Sequence, residues 1–217
     1  MDSNKKQRLS LIGITRWELN KKLNNKKKCS KDESFEWETL AEMTYKCAKC
    51  DLHKSRIQVV FGSGRRDAKL LIIGEAPGAE EDKQGKPFVG RSGKLLNSML
   101  KAININREDT FITNILKCRP PKNRDPQIEE IDKCRSYLIR QIELIKPKIV
   151  LTLGKIASQI ILDSDETIGE IRGKKIFSNI IKMPVVASYH PAYLLRNPSA
   201  KEKSWEDLKI IKKAIGS

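Results

Sequence analysis

The stretch Lys69-Leu-Leu-Ile-Ile-Gly74 is a short apolar run that ends in glycine, a pattern typical of a strand buried on both faces. Three later stretches have the same character, and they are Phe111-Ile-Thr-Asn-Ile115, Ile149-Val-Leu-Thr-Leu-Gly154 and Met183-Pro-Val-Val-Ala-Ser188. Because the strands of a parallel sheet are covered on both faces, these runs predict four parallel strands.

Helical patterns separate the apolar runs. Apolar residues recur at helical spacing from Leu95 to Ile103, and Asp125-Pro126 predicts the start of a further helix that ends before Pro147. Residues 168–181 predict a hairpin. This alternation of strands and helices predicts an α/β protein, with a three-layer α/β/α arrangement and a central four-stranded parallel sheet.

The chain is strongly basic. Its 217 residues include 43 Lys and Arg against 27 Asp and Glu, a formal net charge of +16. Such an excess favours polyanionic partners, nucleic acid first and an acidic membrane surface second. No apolar run approaches the ~20 residues of a membrane-spanning helix, and no secretory signal is evident. We therefore expect a soluble protein of the cytoplasm that does not enter a membrane.

Residues 1–34 differ in composition from the rest of the chain. They contain ten Lys or Arg against four Asp or Glu, including the run Lys26-Lys-Lys28. This pattern predicts a basic, flexible N-terminal extension, followed by one domain over residues 35–217.

The cysteines predict a metal site. Their number is odd, which argues against a simple disulfide framework, and the close pair Cys47-Ala-Lys-Cys50 is typical of half a metal site. Cys118 and Cys134 can supply the other two sulfurs. Spacing alone leaves zinc and an iron–sulfur cluster open, and it also leaves Cys118 and Cys134 open as buried free thiols.

Polar residues follow the predicted strands. Glu75, Asn114 and His190 come at or just after strand ends, where the ligand sites of parallel sheets lie. The loop after the first strand is neither a GxGxxG nor a Walker sequence, so nothing supports mononucleotide binding. Carboxylate, amide and imidazole together suit acid–base chemistry on a polar ring.

Three motifs resemble those of the family 4 uracil-DNA glycosylases, the iron–sulfur, thermophile-type branch of the uracil-DNA glycosylase superfamily. The first motif comprises Gly74-Glu-Ala-Pro-Gly-Ala-Glu-Glu-Asp82 and Gly85-Lys-Pro-Phe-Val-Gly-Arg-Ser-Gly93. The second is Ile112-Thr-Asn114 with Lys117-Cys-Arg-Pro-Pro-Lys-Asn-Arg124, and the third is His190-Pro-Ala-Tyr-Leu-Leu-Arg-Asn-Pro198. The resemblance extends from about residue 37 to about residue 214.

The resemblance implies a monofunctional DNA repair enzyme. Such an enzyme flips uracil out of single- or double-stranded DNA and hydrolyses its N-glycosidic bond, leaving an abasic site. It also implies a [4Fe-4S] cluster, which decides between cluster and zinc, on Cys47, Cys50, Cys118 and Cys134. We expect the cluster to be structural and the protein to be a monomer.

The resemblance also implies roles for the residues of the site. Asn114 reads the uracil edge, His190 stabilises the charge that develops on uracil O2, and Glu75 orients water or stabilises the sugar cation. In the related family 5 enzymes an apolar residue stands at the position of Glu75. The remaining substrate contacts are Gly74, the stacking ring of Phe88, and Glu81, which excludes the thymine methyl group.

A separate set of residues is expected to contact the DNA backbone and groove. The resemblance places a wedge in the minor groove at Leu194, Leu195 and Arg196. Phosphate contacts are expected from Arg91, Ser92 and Ser188.

Two other functions are compatible with the sequence. One is a relative in the same superfamily that acts on other deaminated bases. The other is a non-catalytic iron–sulfur module that binds DNA, although such a module has no use for the complete set of Glu75, Phe88, Asn114 and His190.

Overall fold

A mixed sheet forms the centre of residues 33–216, the part of the chain that the computed structural model describes. Within this part the sheet has six strands in the order β1-β3-β2-β4-β6-β5. The strands are β1 (Ser63–Gly64), β2 (Leu70–Gly74), β3 (Thr110–Asn114), β4 (Ile149–Leu153), β5 (Lys175–Ser178) and β6 (Met183–Ser188).

The four inner strands are parallel, as the apolar runs predict. Strand β2 pairs with β3 on one side and with β4 on the other, and β4 pairs with β6. The outer strands β1 and β5 run antiparallel to their neighbours and extend the predicted sheet at both edges. The predicted α/β class and its central parallel sheet are therefore confirmed.

Helices cover both faces of the sheet. They are α1 (Glu33–Tyr45), α2 (Leu52–Ser55), α3 (Ala79–Gln84), α4 (Arg91–Ala102), α5 (Ile128–Ile145), α6 (Lys155–Leu162), α7 (Ile168–Ile171), α8 (Pro191–Arg196) and α9 (Lys201–Ile215). None of these helices, in the part of the chain that is described, has both the length and the apolar character needed to cross a membrane.

Alternate strand residues pack into two cores. Leu71 and Ile73 of β2 join a cluster with residues of α1, α5 and α6. Leu70 and Ile72 point the other way and join a cluster with residues of α4 and α9. This alternation follows from the two-residue period of a strand, and it gives the three-layer arrangement predicted from the sequence.

Two predicted boundaries are wrong. Helix α5 begins at Ile128, not at Asp125-Pro126, because Gln127 and Glu130 form a reciprocal capping box at residue 127. Residues 168–181 do not form a hairpin of their own. They contain the short helix α7 and strand β5, and the hairpin partner of β5 is β6.

The predicted N-terminal extension over residues 1–34 lies outside the described residues, except for its last two positions, where helix α1 begins.

Candidate active site

The candidate site lies at the carboxyl ends of the parallel strands. Gly74 ends β2 and Asn114 ends β3, and these two residues are direct partners in the ladder. His190 follows the end of β6 by two residues and caps helix α8. The sheet therefore brings together the polar groups that the sequence placed after separate strands.

A glycine makes room at the floor of the site. A Cβ atom at Gly74 would lie 2.4 Å from Asn114 Oδ1 and 2.7 Å from Phe88 Cζ. The Asn114 amide and the Phe88 ring thus pack so closely against Gly74 that any side chain at this position would collide with them. The Phe88 and His190 rings lie near each other, with their centroids 5.6 Å apart. Gly74, Phe88, Asn114 and His190 therefore lie close together, and they form the candidate pocket.

Asn114 carries an unpaired acceptor in this pocket. Its side chain is only 1% exposed, and its Oδ1 atom has no hydrogen-bond partner among the described residues. Burying a polar atom without a partner costs about 1–3 kcal/mol. A bound group with an N–H donor would remove that cost.

His190 is held as a neutral donor. Its Nδ1 atom accepts a hydrogen bond from the backbone N–H of Ala192 at 3.1 Å, so the ring proton of the neutral form is on Nε2. Burial is the main cause that lowers the pKa of His190 to about 4. At neutral pH the imidazole therefore offers one N–H donor and no charge.

Glu75 follows Gly74 and is half-buried. Burial, with a smaller contribution from the negative charge of Asp125, raises the pKa of Glu75 to about 7. A carboxyl group with this pKa exchanges protons readily near neutral pH, as a general base must.

Two residues fix the loop that carries Phe88. Glu81 Oε1 accepts the backbone N–H groups of Val89 and Gly90 at 2.8 and 3.0 Å. On the other side, the Arg107 guanidinium donates to the carbonyl oxygens of Pro87 and Phe88 at 2.6 and 3.0 Å. This matters because Phe88 has a φ of 51°, a left-handed conformation that a bulky residue adopts only when its surroundings hold it there.

The four predicted metal ligands line one cavity. Cys47, Cys50, Cys118 and Cys134 border the same small cavity, and all four are free thiols. The cavity is also lined by basic side chains and by a tyrosine, namely Lys49, Arg56, Lys117, Lys133 and Tyr137.

Local contacts influence the chemistry of the thiols. The Arg56 guanidinium donates to Cys118 Sγ at 3.2 Å, and burial raises the pKa of Cys134 to about 11.

In the described part of the chain, no three His, Cys, Asp or Glu side chains are arranged so that they could hold a metal ion.

Comparison with known proteins identifies the family. The family model for the uracil DNA glycosylase superfamily matches residues 61–209. The chain belongs to the uracil-DNA glycosylase superfamily. It is 46% identical to a type-4 uracil-DNA glycosylase of Archaeoglobus fulgidus over an alignment of 176 residues. This alignment covers 78% of this chain and 88% of the relative.

More distant glycosylases also match. A type-4 uracil-DNA glycosylase of Thermotoga maritima is 44% identical over 163 residues, covering 75% of this chain and 84% of the relative. A type-5 uracil-DNA glycosylase of Pyrobaculum aerophilum is 31% identical over 148 residues, and the alignment covers 60% of this chain and 64% of the relative. The resemblance to the type-4 group inferred from the three motifs is confirmed.

One of the three residues expected to form a wedge in the DNA minor groove, Leu194, does not have the exposure that this role requires. Leu194 is 1% exposed and packs in the core with α4 and α9, so it cannot enter a DNA groove. Leu195 is 37% exposed, and Arg196 is also exposed. Helix α8 therefore presents Leu195 to solvent and turns Leu194 inward.

The predicted phosphate contacts differ in accessibility. Arg91, the first residue of helix α4, is exposed, and Ser92 is half-buried. Ser188 is fully buried at the end of β6, which does not favour the phosphate contact predicted for its hydroxyl.

Sequence reasoning missed two residues that support the glycosylase pocket. Arg107 lies in a short 3₁₀ turn outside all three motifs, and nothing in the sequence relates it to Phe88. Lys117 lies inside the second motif, but its complete burial depends on tertiary contacts that a basic residue in a loop does not suggest.

Proposed function

We propose that this protein removes uracil from DNA by hydrolysing the N-glycosidic bond and leaves an abasic site. The observation that carries the proposal is the unpaired Asn114 Oδ1 atom, which is buried against Gly74 and beside the Phe88 ring. The family membership and the type-4 relatives support the same reaction.

Asn114 selects the base through both atoms of its amide. Its Oδ1 accepts a hydrogen bond from uracil N3–H, and its Nδ2 donates to uracil O4. Cytosine presents the opposite pattern, an acceptor at N3 and an amino donor at C4, so both contacts would be lost in a buried site. Mismatches of this kind are rejected strongly because the polar groups stay unpaired.

Phe88 and Glu81 complete the base pocket. The Phe88 ring stacks on the flipped base, which replaces the stacking that the base loses in the duplex. Glu81 limits the space beside uracil C5 and so excludes thymine. Its hydrogen bonds to the backbone of Val89 and Gly90 support this role, since they fix both its own position and that of the stacking loop.

His190 stabilises the leaving group. When the bond between N1 of uracil and C1′ of the sugar breaks, its electron pair moves onto the base and develops as negative charge at O2. The Nε2–H group of neutral His190 donates to that oxygen. A donor fixed in a water-poor pocket is typically worth ~10²–10³ in rate.

Glu75 acts on the other side of the broken bond. We assign it the orientation of the attacking water, whose oxygen bonds to C1′ while the departing proton passes to the carboxylate. None of the residues that we assign to the pocket, which are Gly74, Glu75, Phe88, Asn114 and His190, carries an amine that could attack C1′ instead. A hydrolytic reaction without lyase activity follows from this arrangement.

The four cysteines fit a [4Fe-4S] cluster. They border one cavity instead of converging on a point, which suits a cluster that has a volume of its own. The basic side chains around the cavity suit the net negative charge of a cluster held by four thiolates. The bound cluster would supply a structural cross-link between the Cys47–Cys50 turn, the Cys118 loop and helix α5. An absorbance band near ~400 nm and four irons per chain test this assignment.

Further proposals concern the DNA contacts, the form of the DNA substrate, the oligomeric state and the location of the protein in the cell. We propose that Leu195 and Arg196 contact the groove beside the flipped nucleotide and that Arg91 and Ser92 contact phosphates. Uracil in either single- or double-stranded DNA would be a substrate, because the selective contacts are to the flipped base. We propose that the protein acts as a monomer. Four free thiols suit the reducing cytoplasm.

One assay tests the reaction. Purified protein is incubated with oligonucleotides that carry a single uracil, hypoxanthine or thymine opposite guanine, and base release is measured. We expect release of uracil and not of thymine. Release of hypoxanthine in preference to uracil would instead favour a relative specific for other deaminated bases, and absence of any release from cluster-loaded protein would refute the proposal.

Two variants test the pocket. Asn114→Ala and His190→Ala should each reduce single-turnover uracil release by about 100-fold or more, while DNA affinity changes little. Equal losses of release and of DNA affinity would show that these residues are not in the base pocket.

A further inference from the structure

Lys117 is a fully buried lysine with three hydrogen bonds. Its side chain is 1% exposed, and its Nζ atom donates to Thr113 Oγ1 at 2.5 Å, to Gln141 Oε1 at 2.7 Å and to the backbone carbonyl of Asn114 at 2.9 Å. None of these three acceptors is a carboxylate. A lysine buried in this way is rare and needs a strong local reason.

The hydrogen bond to Asn114 fixes the turn that follows strand β3. In this turn the Ile115 N–H donates to the carbonyl of Gly74 at 2.9 Å, and the Leu116 N–H donates to the carbonyl of Glu75 at 3.0 Å. The Lys117 ammonium closes the turn from inside by holding the carbonyl of Asn114. The turn therefore connects the base-reading amide to the backbone of both Gly74 and Glu75.

We propose that Lys117 is a positioning residue for Asn114, and that it connects the uracil pocket to the cysteine cavity. The proposal rests on the proposed function of Asn114 in base reading. Lys117 lines the same cavity as the four cysteines and directly precedes one of them, Cys118. Lys117 therefore lines the cysteine cavity and, through its Nζ atom, contacts the backbone carbonyl of Asn114.

The orientation of an amide in a tight pocket is sensitive to small movements of its backbone. A displacement of about 1 Å at a reacting group can cost ~100-fold in rate. The Lys117 Nζ atom is itself held by Thr113 and Gln141, so it has a fixed position from which to donate to Asn114. It is therefore well suited to hold the Asn114 carbonyl in one place.

A double-mutant cycle tests this role. Lys117→Met keeps the length of the side chain and removes its donors. We expect it to slow single-turnover uracil release by about 10–100-fold in the wild-type background and by less than about 3-fold in the Asn114→Ala background. A matched control is Lys133→Met, which changes another lysine of the cavity wall that has no hydrogen bond to Asn114. Equal losses in both backgrounds, or an equal loss from the control, would overturn the proposal.

Amide hydrogen exchange gives a second measurement that needs no catalysis. In Lys117→Met the amides of Ile115 and Leu116 should exchange at least about 10-fold faster, whereas Lys133→Met should leave them unchanged. Unchanged exchange in Lys117→Met would overturn the positioning role. If the wild-type protein released no uracil, the proposed function would fail while the exchange experiment still decided whether Lys117 holds the turn.

A milder variant covers the case in which Lys117→Met does not fold. Gln141 lies on helix α5 and accepts a hydrogen bond from Lys117 Nζ, so Gln141→Met removes one of the three acceptors of Lys117, together with the hydrogen bond from Gln141 Nε2 to the carbonyl of Phe61. We expect a smaller loss of uracil release that again disappears in the Asn114→Ala background. A loss that persisted in that background would contradict the proposal. The absorbance near ~400 nm, measured for each variant, separates changes in positioning from loss of the cluster.

Discussion

Gly74 and Asn114 are ladder partners at the ends of two parallel strands, and a single added carbon at Gly74 would lie 2.4 Å from the Asn114 amide oxygen. The distance is shorter than any ordinary contact between a carbon and an oxygen. The Asn114 amide can therefore take this position only because residue 74 has no side chain.

Replacing this glycine should block the pocket. We expect Gly74→Ala to reduce uracil release by about 100-fold or more, because the methyl group displaces the Asn114 amide or the Phe88 ring. Single-turnover release from a uracil oligonucleotide measures the effect. Gly169→Ala is the matched control, since the nearest atom to its added carbon is 3.8 Å away. Full activity of Gly74→Ala would show that uracil binds elsewhere.

The pH dependence of the reaction should report Glu75. Its pKa is raised to about 7, so the carboxylate that accepts the proton from water becomes populated as the pH rises through 7. The pKa of His190 is lowered to about 4, so its neutral form persists over this range. We expect the single-turnover rate to rise toward a plateau above pH 7 and to lose this rise in Glu75→Gln. A profile of Glu75→Gln with the wild-type shape would assign the base to another group.

The same pKa shift has a defined effect on stability. An unfolded glutamate titrates near ~4.3, so between that pH and about 7 the folded protein binds more protons than the unfolded chain. The contribution of Glu75 to stability is therefore present at low pH and lost as the pH rises through 7. Glu75→Gln should increase the melting temperature more at pH 8 than at pH 5, measured by calorimetry. An equal increase at both values would exclude ionisation as its cause.

The cluster that we propose for the cysteine cavity should stabilise the fold. A cross-link between distant segments of a chain constrains its unfolded state by about 3–5 kcal/mol, which corresponds to ~6–20 °C in melting temperature for a domain of this size. We expect Cys134→Ala to lose the absorbance band and to melt lower by that amount. Cys29→Ala, which removes the fifth cysteine of the sequence, is the control. A normal band in Cys134→Ala would remove Cys134 from the ligand set.

Substitutions of the adjacent residues Leu194 and Leu195 should affect different properties, namely stability for Leu194 and activity on double-stranded DNA for Leu195. Leu194→Ala removes a buried core side chain and should cost about 2–5 kcal/mol of stability. Leu195→Ala should leave stability nearly unchanged and reduce uracil release from double-stranded DNA more than from single-stranded DNA, because only a duplex needs a wedge. Chemical denaturation and parallel assays on both substrates test the pair. Equal losses on the two DNA forms in Leu195→Ala would contradict the wedge.

Arg107 should support the stacking ring without touching the base. Arg107→Met removes the donors to the carbonyls of Pro87 and Phe88, and the left-handed Phe88 then lacks one of its restraints. We expect a several-fold slower uracil release with little change in DNA affinity. Arg65→Met, which breaks only an exposed ion pair with Asp67, is the control. Wild-type release from Arg107→Met would show that Glu81 alone fixes the loop.

The inner strands were predictable because each is a continuous apolar run, and such a run fits only a strand covered on both faces. The edge strands were not, since β1 has two residues and β5 alternates weakly between exposed and buried positions. The start of α5 was missed because Asp125-Pro126 is a strong local signal, whereas the capping box of Gln127 and Glu130 is what the folded chain uses.

Some residues of the site could be placed from the local sequence pattern, whereas the burial of others depends on tertiary packing. Asn114 and His190 could be placed because each follows a strand, and the topology of a parallel sheet brings such positions together. The inward direction of Leu194 depends on how helix α8 packs, and the burial of Lys117 depends on helix α5. Neither contact is encoded in the residues next to them.

The rigid setting of Asn114 has a consequence for how the protein searches DNA. The amide sits at the end of a core strand, with its backbone tied to β2 on either side of the turn. If Asn114 reads the base as we propose, its own backbone needs no rearrangement before the contact forms. We therefore expect the time spent on an incorrect base to be set by the opening and closing of the base pair and not by movement of the Asn114 backbone.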